Sequence, residues 1–230
     1  MATRYTPRIV TDSLVLCLDA GNPKSYPGTG TAWTDLSRNG RNGTLTNGPT
    51  FNSANGGSIV FDGTNDRVEI GSSAFTFNGG TAEIWTKLTS NNRNQGFLGI
   101  QFGTPGNTYI NFWMSTNNLM RWEVIGNSSL TFLAINSTTA FTTGIWYHVV
   151  GTFDGITNRI YINGNPETSS TTGGSNVPTN FTTVVALGDY SSSGSYPLAG
   201  NIALANVYTR ALTQSEILQN FNATKGRFGL

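Results

Sequence analysis

Short runs of β-branched and aromatic residues recur along the whole chain, each closed by Gly, Asn, Asp, Ser or Pro. This punctuation limits the fold more than any other feature. Residues of that kind suit a pleated, half-buried surface, and the closing residues favour turns. Strands are expected at 14–18, 58–61, 67–70, 82–88, 97–102, 109–114, 120–125, 130–135, 146–153, 159–162, 183–187 and 202–208. Many short strands at this spacing indicate a sandwich or barrel, not alternating strands and helices. The stretch WYHVVGTFDGITNRIYING, residues 146–164, shows the pattern at its clearest. Trp146 to Phe153 reads as one strand, Asp154 to Asn158 as a turn, Arg159 to Ile162 as the return, and Asn163-Gly164 as the next turn. Period-2 alternation puts Trp146, His148, Val150 and Thr152 on one face, and Tyr147, Val149 and Phe153 on the other.

A chain of 230 residues can be one all-β domain. We expect a single unit over 1–230, with 1–12 a candidate N-terminal arm. Charged residues make up only 11% of the chain, while 5 Trp, 8 Tyr and 13 Phe can supply much of a core. The net charge is +1 without a basic run, which argues against a nucleic-acid partner. Cys17, the only cysteine, excludes an intramolecular disulfide or a multi-cysteine zinc site, and it is expected to be buried. The apolar stretch near the start is broken by Thr11, Asp12 and Ser13, so neither a signal peptide nor a membrane span is expected. One helix is expected near the end. Thr213 and Glu216 fit a capping box, with Ile217, Leu218 and Phe221 on one face.

Four segments in order resemble the laminin-G-like domains of the concanavalin A-like lectin/glucanase superfamily. They are SIVFDGTNDRVEI, GTAEIWTKL, the hairpin at 146–164, and GNIALANVYTRALTQSEILQNF. The resemblance implies an all-β jelly-roll sandwich of two antiparallel sheets with one short C-terminal helix. The segment from Ser13 to Phe51 and the tail from Leu218 to Leu230 are also similar to laminin-G-like virion proteins of tailed marine phages. That implies a non-enzymatic structural protein on a virion, decorating a capsid or forming part of a tail or fibre. It would be made in the host cytoplasm and contact other virion proteins, with host surface glycan as a second partner. A free-standing carbohydrate-binding module is the alternative, and a glycoside hydrolase a distant one.

Catalysis fails a spacing test. Retaining hydrolases of this superfamily set acids at alternate positions of one strand, so that a nucleophile and an acid flank the bond at about 5–5.5 Å. No two acidic residues here lie two positions apart, and Glu83 is followed by Ile84-Trp85-Thr86-Lys87. His148, between Trp146 and Val150, reads as a packed structural residue instead of a general base. No catalytic residue is expected. The resemblance implies a structural calcium, for which Asp19, Asp35 and Asn39 are the candidates; calcium takes oxygen ligands in sets of about 6–8. Arg38 and Arg41 stand close by and oppose it. Trp33, Tyr190 and Tyr196, all in loops, are the candidates for stacking on a glycan, whereas Trp85, Trp113, Trp122 and Trp146 are expected in the core.

Overall fold

Along each strand, successive side chains alternate between two faces, and here the apolar faces of two antiparallel sheets close on each other. The computed structural model describes residues 8–75, 79–102, 108–125, 132–171, 181–189 and 196–230. The strands in chain order begin with β1 (Leu14–Asp19), β2 (Ala32–Trp33), β3 (Gly43–Thr46), β4 (Thr50–Asn52), β5 (Ser58–Asp62) and β6 (Arg67–Phe75). They continue with β7 (Gly80–Leu88), β8 (Gln95–Phe102), β9 (Thr108–Met114), β10 (Leu119–Ile125) and β11 (Phe132–Ala140). The last are β12 (Trp146–Phe153), β13 (Thr157–Ile162), β14 (Asn165–Thr171), β15 (Phe181–Leu187) and β16 (Ala199–Tyr208). The helix α1 spans Gln214–Thr224 and runs into a 3-10 turn at Lys225–Phe228.

Sheet I has the order β14-β13-β12-β7-β16-β5-β4, with β1 also paired to β16. Sheet II has the order β11-β10-β9-β8-β15-β6-β3-β2. Between them lies one core, in which Leu16, Ile84, Val149 and Phe153 of sheet I meet Val68, Ile110, Phe112, Trp122 and Val185 of sheet II. The alternation expected for 146–153 holds, since Tyr147, Val149 and Phe153 join this core while Trp146 and Val150 pack on the opposite face.

Trp122 needs a gap in the facing sheet. Gly151 provides it, because a Cβ there would lie 2.3 Å from the indole. The sandwich also closes along one side. Glu167 of β14 accepts from the amides of Thr138 (2.6 Å) and Thr139 (2.9 Å) and from both threonine hydroxyls of β11. These bonds saturate part of a sheet edge that would otherwise be open to pairing.

The strands the sequence did not signal are β2, β3, β4 and β14. They are two to four residues long, or, like NPETSST of β14, contain no large apolar residue. Their pairing comes from a neighbouring strand and not from their own propensity. The capping box of α1 is present as expected, with Thr213 as its N-cap. Its buried face is not the apolar stripe alone: Ile217, Asn220 and Thr224 are buried, while Leu218 is 43% exposed.

Two outcomes follow from this packing. Gly151→Ala should lower the urea midpoint by the equivalent of about 1–3 kcal/mol at unchanged m-value, the usual cost of overpacking. The second concerns acid. Paired forks from Arg210 to Glu216 (2.8 and 2.6 Å) hold the Glu216 carboxyl down at about 2, against its ordinary 4.5. A depressed carboxylate stabilises the fold fully above its unfolded pKa, and that contribution is lost as pH falls through the folded one. Stability should therefore decline between about pH 4.5 and pH 2, and Glu216→Gln should flatten that limb of an acid-denaturation curve.

Candidate functional site

The outer face of sheet I holds the only histidine. His148 lies diagonally across from Glu83, in strands where His148 pairs with Trp85 and Val150 with Glu83. Its Nε2 is 2.6 Å from Glu83 Oε1, and the pair is 0% and 1% exposed. The second carboxylate oxygen accepts from Asn220 (2.8 Å) and Asn206 (3.3 Å) and lies 3.5 Å from the Tyr208 hydroxyl. Asn220 also accepts from the Val10 amide at 2.7 Å, and Tyr208 donates to the Val10 carbonyl at 3.2 Å. Residues 8–12 of the expected N-terminal arm are thus partly tied under α1.

Rings seal the cluster: those of Trp85 and Phe221 have centroids 5.1 and 5.6 Å from the imidazole. Burial, followed by the Glu83 charge, raises the Tyr208 phenol above its ordinary range. Sequence reasoning gave His148 no carboxylate partner; Glu83 supplies one from the neighbouring strand. The pair lies beneath α1, closed to solvent. Cys17 is inert, its thiol pushed up to about 12 by burial and then by the charges of Asp19, Asp35 and Glu83.

Asp19, Asp35 and Asn39 do not make a calcium site. Asp35 Oδ1 accepts from the amides of Cys17 (2.9 Å) and Ser37 (2.8 Å), and Oδ2 from the Ser37 hydroxyl (2.7 Å) and the Arg41 amide (3.1 Å). A carboxylate with about four lone-pair positions is filled by such a set. Asp19 is ion-paired with Arg227 at 2.8 Å, and exposed Asn39 points its amide nitrogen at Ser37 Oγ, 2.9 Å away. This donor set pins the loop to β1 and does not fit a cation. Among the described residues, no group of three or more His, Cys, Asp or Glu could hold a metal ion.

The glycan candidates separate. Trp33 is 0% exposed and joins the core, so its ring faces are closed to a sugar. The two-residue β2 that carries it turns its indole inward, which a loop reading could not foresee. Tyr190 lies outside the described residues. Tyr196 is half-buried and packs on Trp113, with ring centroids 6.0 Å apart. Gly96, the register partner of Trp113, lacks a side chain and donates its amide to the Tyr196 carbonyl at 2.7 Å, bringing the two rings together.

Trp113 corrects a further expectation. Trp85, Trp122 and Trp146 are buried, but Trp113 is half-exposed on the outer face of sheet II. The signal was available in TYINFWM, where Ile110, Phe112 and Met114 take the core face and leave Asn111 and Trp113 opposite.

That outer face has a defined layout. One register row crosses it as Thr44, Glu69, Ala186, Gly99, Asn111, Glu123 and Ala134. Small residues form its floor, and an ion pair stands on either side: Arg67 with Glu69 (2.6 Å), and Arg121 with Glu123. Arg121 also lies over the Trp113 ring, 5.5 Å from its centroid. Asn111 is 1% exposed, and neither its amide oxygen nor its nitrogen has a hydrogen-bond partner. Glu69 and Glu123 are four strand spacings apart, about 19 Å at roughly 4.8 Å each. Either glycosidase mechanism needs its carboxyls within about 9.5 Å.

Comparison with known proteins agrees with this architecture. The laminin G 3 family model, described as the concanavalin A-like lectin/glucanases superfamily, matches residues 62–218. Among solved structures, domain 4 of the extracellular arabinanase AbnA of Geobacillus stearothermophilus, crystallised with arabinotriose, superposes with a TM-score of 0.69. Identity is 19%, over 90% of this chain and 98% of that one. The binding domain of Paraclostridial Mosquitocidal Protein 1 gives 0.69 at 16% identity, over 93% of this chain and 52% of that one. Trypanosoma rangeli sialidase gives 0.66 at 16% identity, over 94% of this chain and 33% of that one. The chain therefore spans about half of the toxin domain and a third of the sialidase. No curated protein matches the chain.

Removing Glu83 strands the buried groups that hydrogen-bond to it. Glu83→Ala should cost about 1–3 kcal/mol for each buried donor left unpaired and accelerate amide exchange in α1 first. His148→Gln should lower the melting temperature, as differential scanning calorimetry would record.

Proposed function

The chain belongs to the laminin G 3 family of the concanavalin A-like lectin/glucanases superfamily, and from that premise we propose that it is a non-catalytic binding domain that takes glycans on the outer face of sheet II. The observation that carries this reading is the half-buried Trp113–Tyr196 ring pair standing beside the buried polar side chains of Asn111 and Glu123. An aromatic face covers the C–H side of a sugar, and planar polar groups receive its hydroxyls, which is how small-ligand sites combine apolar area with a few placed polar groups.

The acids support a non-catalytic role. All 12 Asp and Glu residues accept a hydrogen bond or an ion pair from a neighbouring group. On sheet II these are Arg67 to Glu69 and Arg121 to Glu123. Elsewhere Asp66 accepts from the Asp62 amide, Asp189 from the Tyr196 amide, and Asp154 from Arg159. A general acid paired with a nucleophile at bond-cleaving distance is a different arrangement.

A virion surface is the proposed setting. It rests on the resemblance of residues 13–51 and 218–230 to phage virion proteins. Those two segments pack together through the Asp19–Arg227 ion pair. They would form the side that meets neighbouring virion proteins. No helix among the described residues is long and apolar enough to cross a membrane.

A glycan array followed by titration tests the site. The wild type should bind at least one oligosaccharide, and Trp113→Ala should weaken it about tenfold or more, the equivalent of roughly 1.4 kcal/mol. A turnover assay on β-glucans should give no product. Failure to bind any glycan, or hydrolysis, would overturn the reading, and absence of the protein from purified particles would remove the virion setting.

A further inference from the structure

Asn111 sets this face apart. Among the described residues it is the one side chain with two buried polar atoms that both lack a hydrogen-bond partner. A buried amide of this kind is costly unless something fills it, and such groups in folded proteins call for an explanation. It is not aimed at the core. Ile110 and Phe112, its neighbours in sequence, are both 0% exposed in the inter-sheet cluster, so Asn111 projects to the outer face. There it stands between Gly99 and Glu123 in the register row, with Trp113 two positions along its own strand.

We infer that Asn111 is the specificity-determining contact of an uncharged sugar, read through a pair of adjacent hydroxyls; this rests on the glycan reading above and narrows it. An amide presents one acceptor oxygen and two N–H donors side by side. Two neighbouring hydroxyls on a pyranose or furanose ring offer the complementary set, one donating to the Asn111 oxygen and the other accepting from its nitrogen. Glu123, directly across the strand pair, can accept from a further hydroxyl while retaining Arg121.

The charges on this face exclude the anionic class. Arg67 and Arg121 are each ion-paired with the glutamate two positions on, so the face carries matched charges. At the rim, Arg93 gives its guanidinium to the carbonyls of Gly63 (2.7 Å) and Pro197 (3.5 Å). A carboxylated or sulfated sugar beside Asn111 would have to displace Glu123 from Arg121, exchanging one ion pair for another and stranding a carboxylate that is only 7% exposed. A neutral sugar needs no exchange.

The test uses the full chain titrated calorimetrically with arabinotriose, cello-oligosaccharides and 3′-sialyllactose, for the wild type, Asn111→Leu, Asn111→Ala and Trp113→Ala. A neutral oligosaccharide should bind and sialyllactose should not. Either Asn111 variant should weaken the neutral sugar about tenfold or more. Meanwhile the melting temperature of free Asn111→Leu should stay level or rise, because an orphaned amide has been removed. That pairing of lost binding with retained stability is one that a purely structural asparagine would not produce. Sialyllactose binding as tightly as the neutral sugars would overturn the inference. So would Asn111 variants that bind normally while Trp113→Ala fails, an outcome that leaves the glycan site standing. Lower melting temperatures in both Asn111 variants would return the residue to a structural role, and silence of the wild type toward every sugar would remove both readings together.

Discussion

A carboxylate buried on the outer face of a sheet is unstable unless donors surround it, and Glu83 is surrounded from several directions. Its partners come from β12 (His148), β16 (Asn206 and Tyr208) and α1 (Asn220), and Asn220 extends the network to the Val10 amide. The Asn220 contact, and through it the bond to Val10, can form only once the C-terminal helix settles on sheet I. The cluster therefore acts as a register device: it satisfies its donors only in one placement of helix, sheet and N-terminal segment, a role best attested for buried polar groups elsewhere. The same placement lets Thr224 accept from the Trp85 indole and stacks Phe228 on the same ring, 4.0 Å between centroids.

Covering one face assigns the other. A sandwich has two outer faces, and the helix, the 3-10 turn and the tail ion pair with Asp19 all lie on the side of sheet I. Sheet II keeps the half-exposed aromatic pair and the recessed row of small and polar residues. The asymmetry follows from composition at single positions. Asn220 and Thr224 make the buried face of α1 polar enough to receive Glu83 and Trp85, whereas Gly99 and Ala186 keep the centre of sheet II low.

The all-β character and the capping box of α1 were legible because each depends on local pattern: alternation, turn residues, a Thr and a Glu three apart; the two-sheet arrangement came from the family resemblance. What escaped depends on partners remote in sequence. Glu83 and His148 are 65 residues apart and meet only through strand pairing. β14 has no apolar signal and is held by β13 and by Glu167 reaching to β11. Asp35 resembled a calcium ligand because loop carboxylates bind both cations and their own backbone amides. The deciding amide, that of Cys17, comes from a different strand. Trp113 is the instructive miss. Its strand was identified, and applying the period-2 rule within it would have moved the indole from the core to the surface.

The superfamily includes both binders and hydrolases, so the fold alone cannot decide between them and the site must. Hydrolysis requires two carboxyls that converge with free lone pairs and differing protonation states. On this face the acids are separated by three intervening strands, and each is fixed by an arginine on its own strand, a geometry set by Arg-x-Glu spacing at positions 67–69 and 121–123. An i, i+2 pair on a strand shares one face, so each glutamate is neutralised locally before it can act across the sheet. The same spacing leaves a face of balanced charge around an uncommitted amide, and on the proposed glycan reading such a face would discriminate by hydrogen-bond pattern and shape, not by attraction to charge.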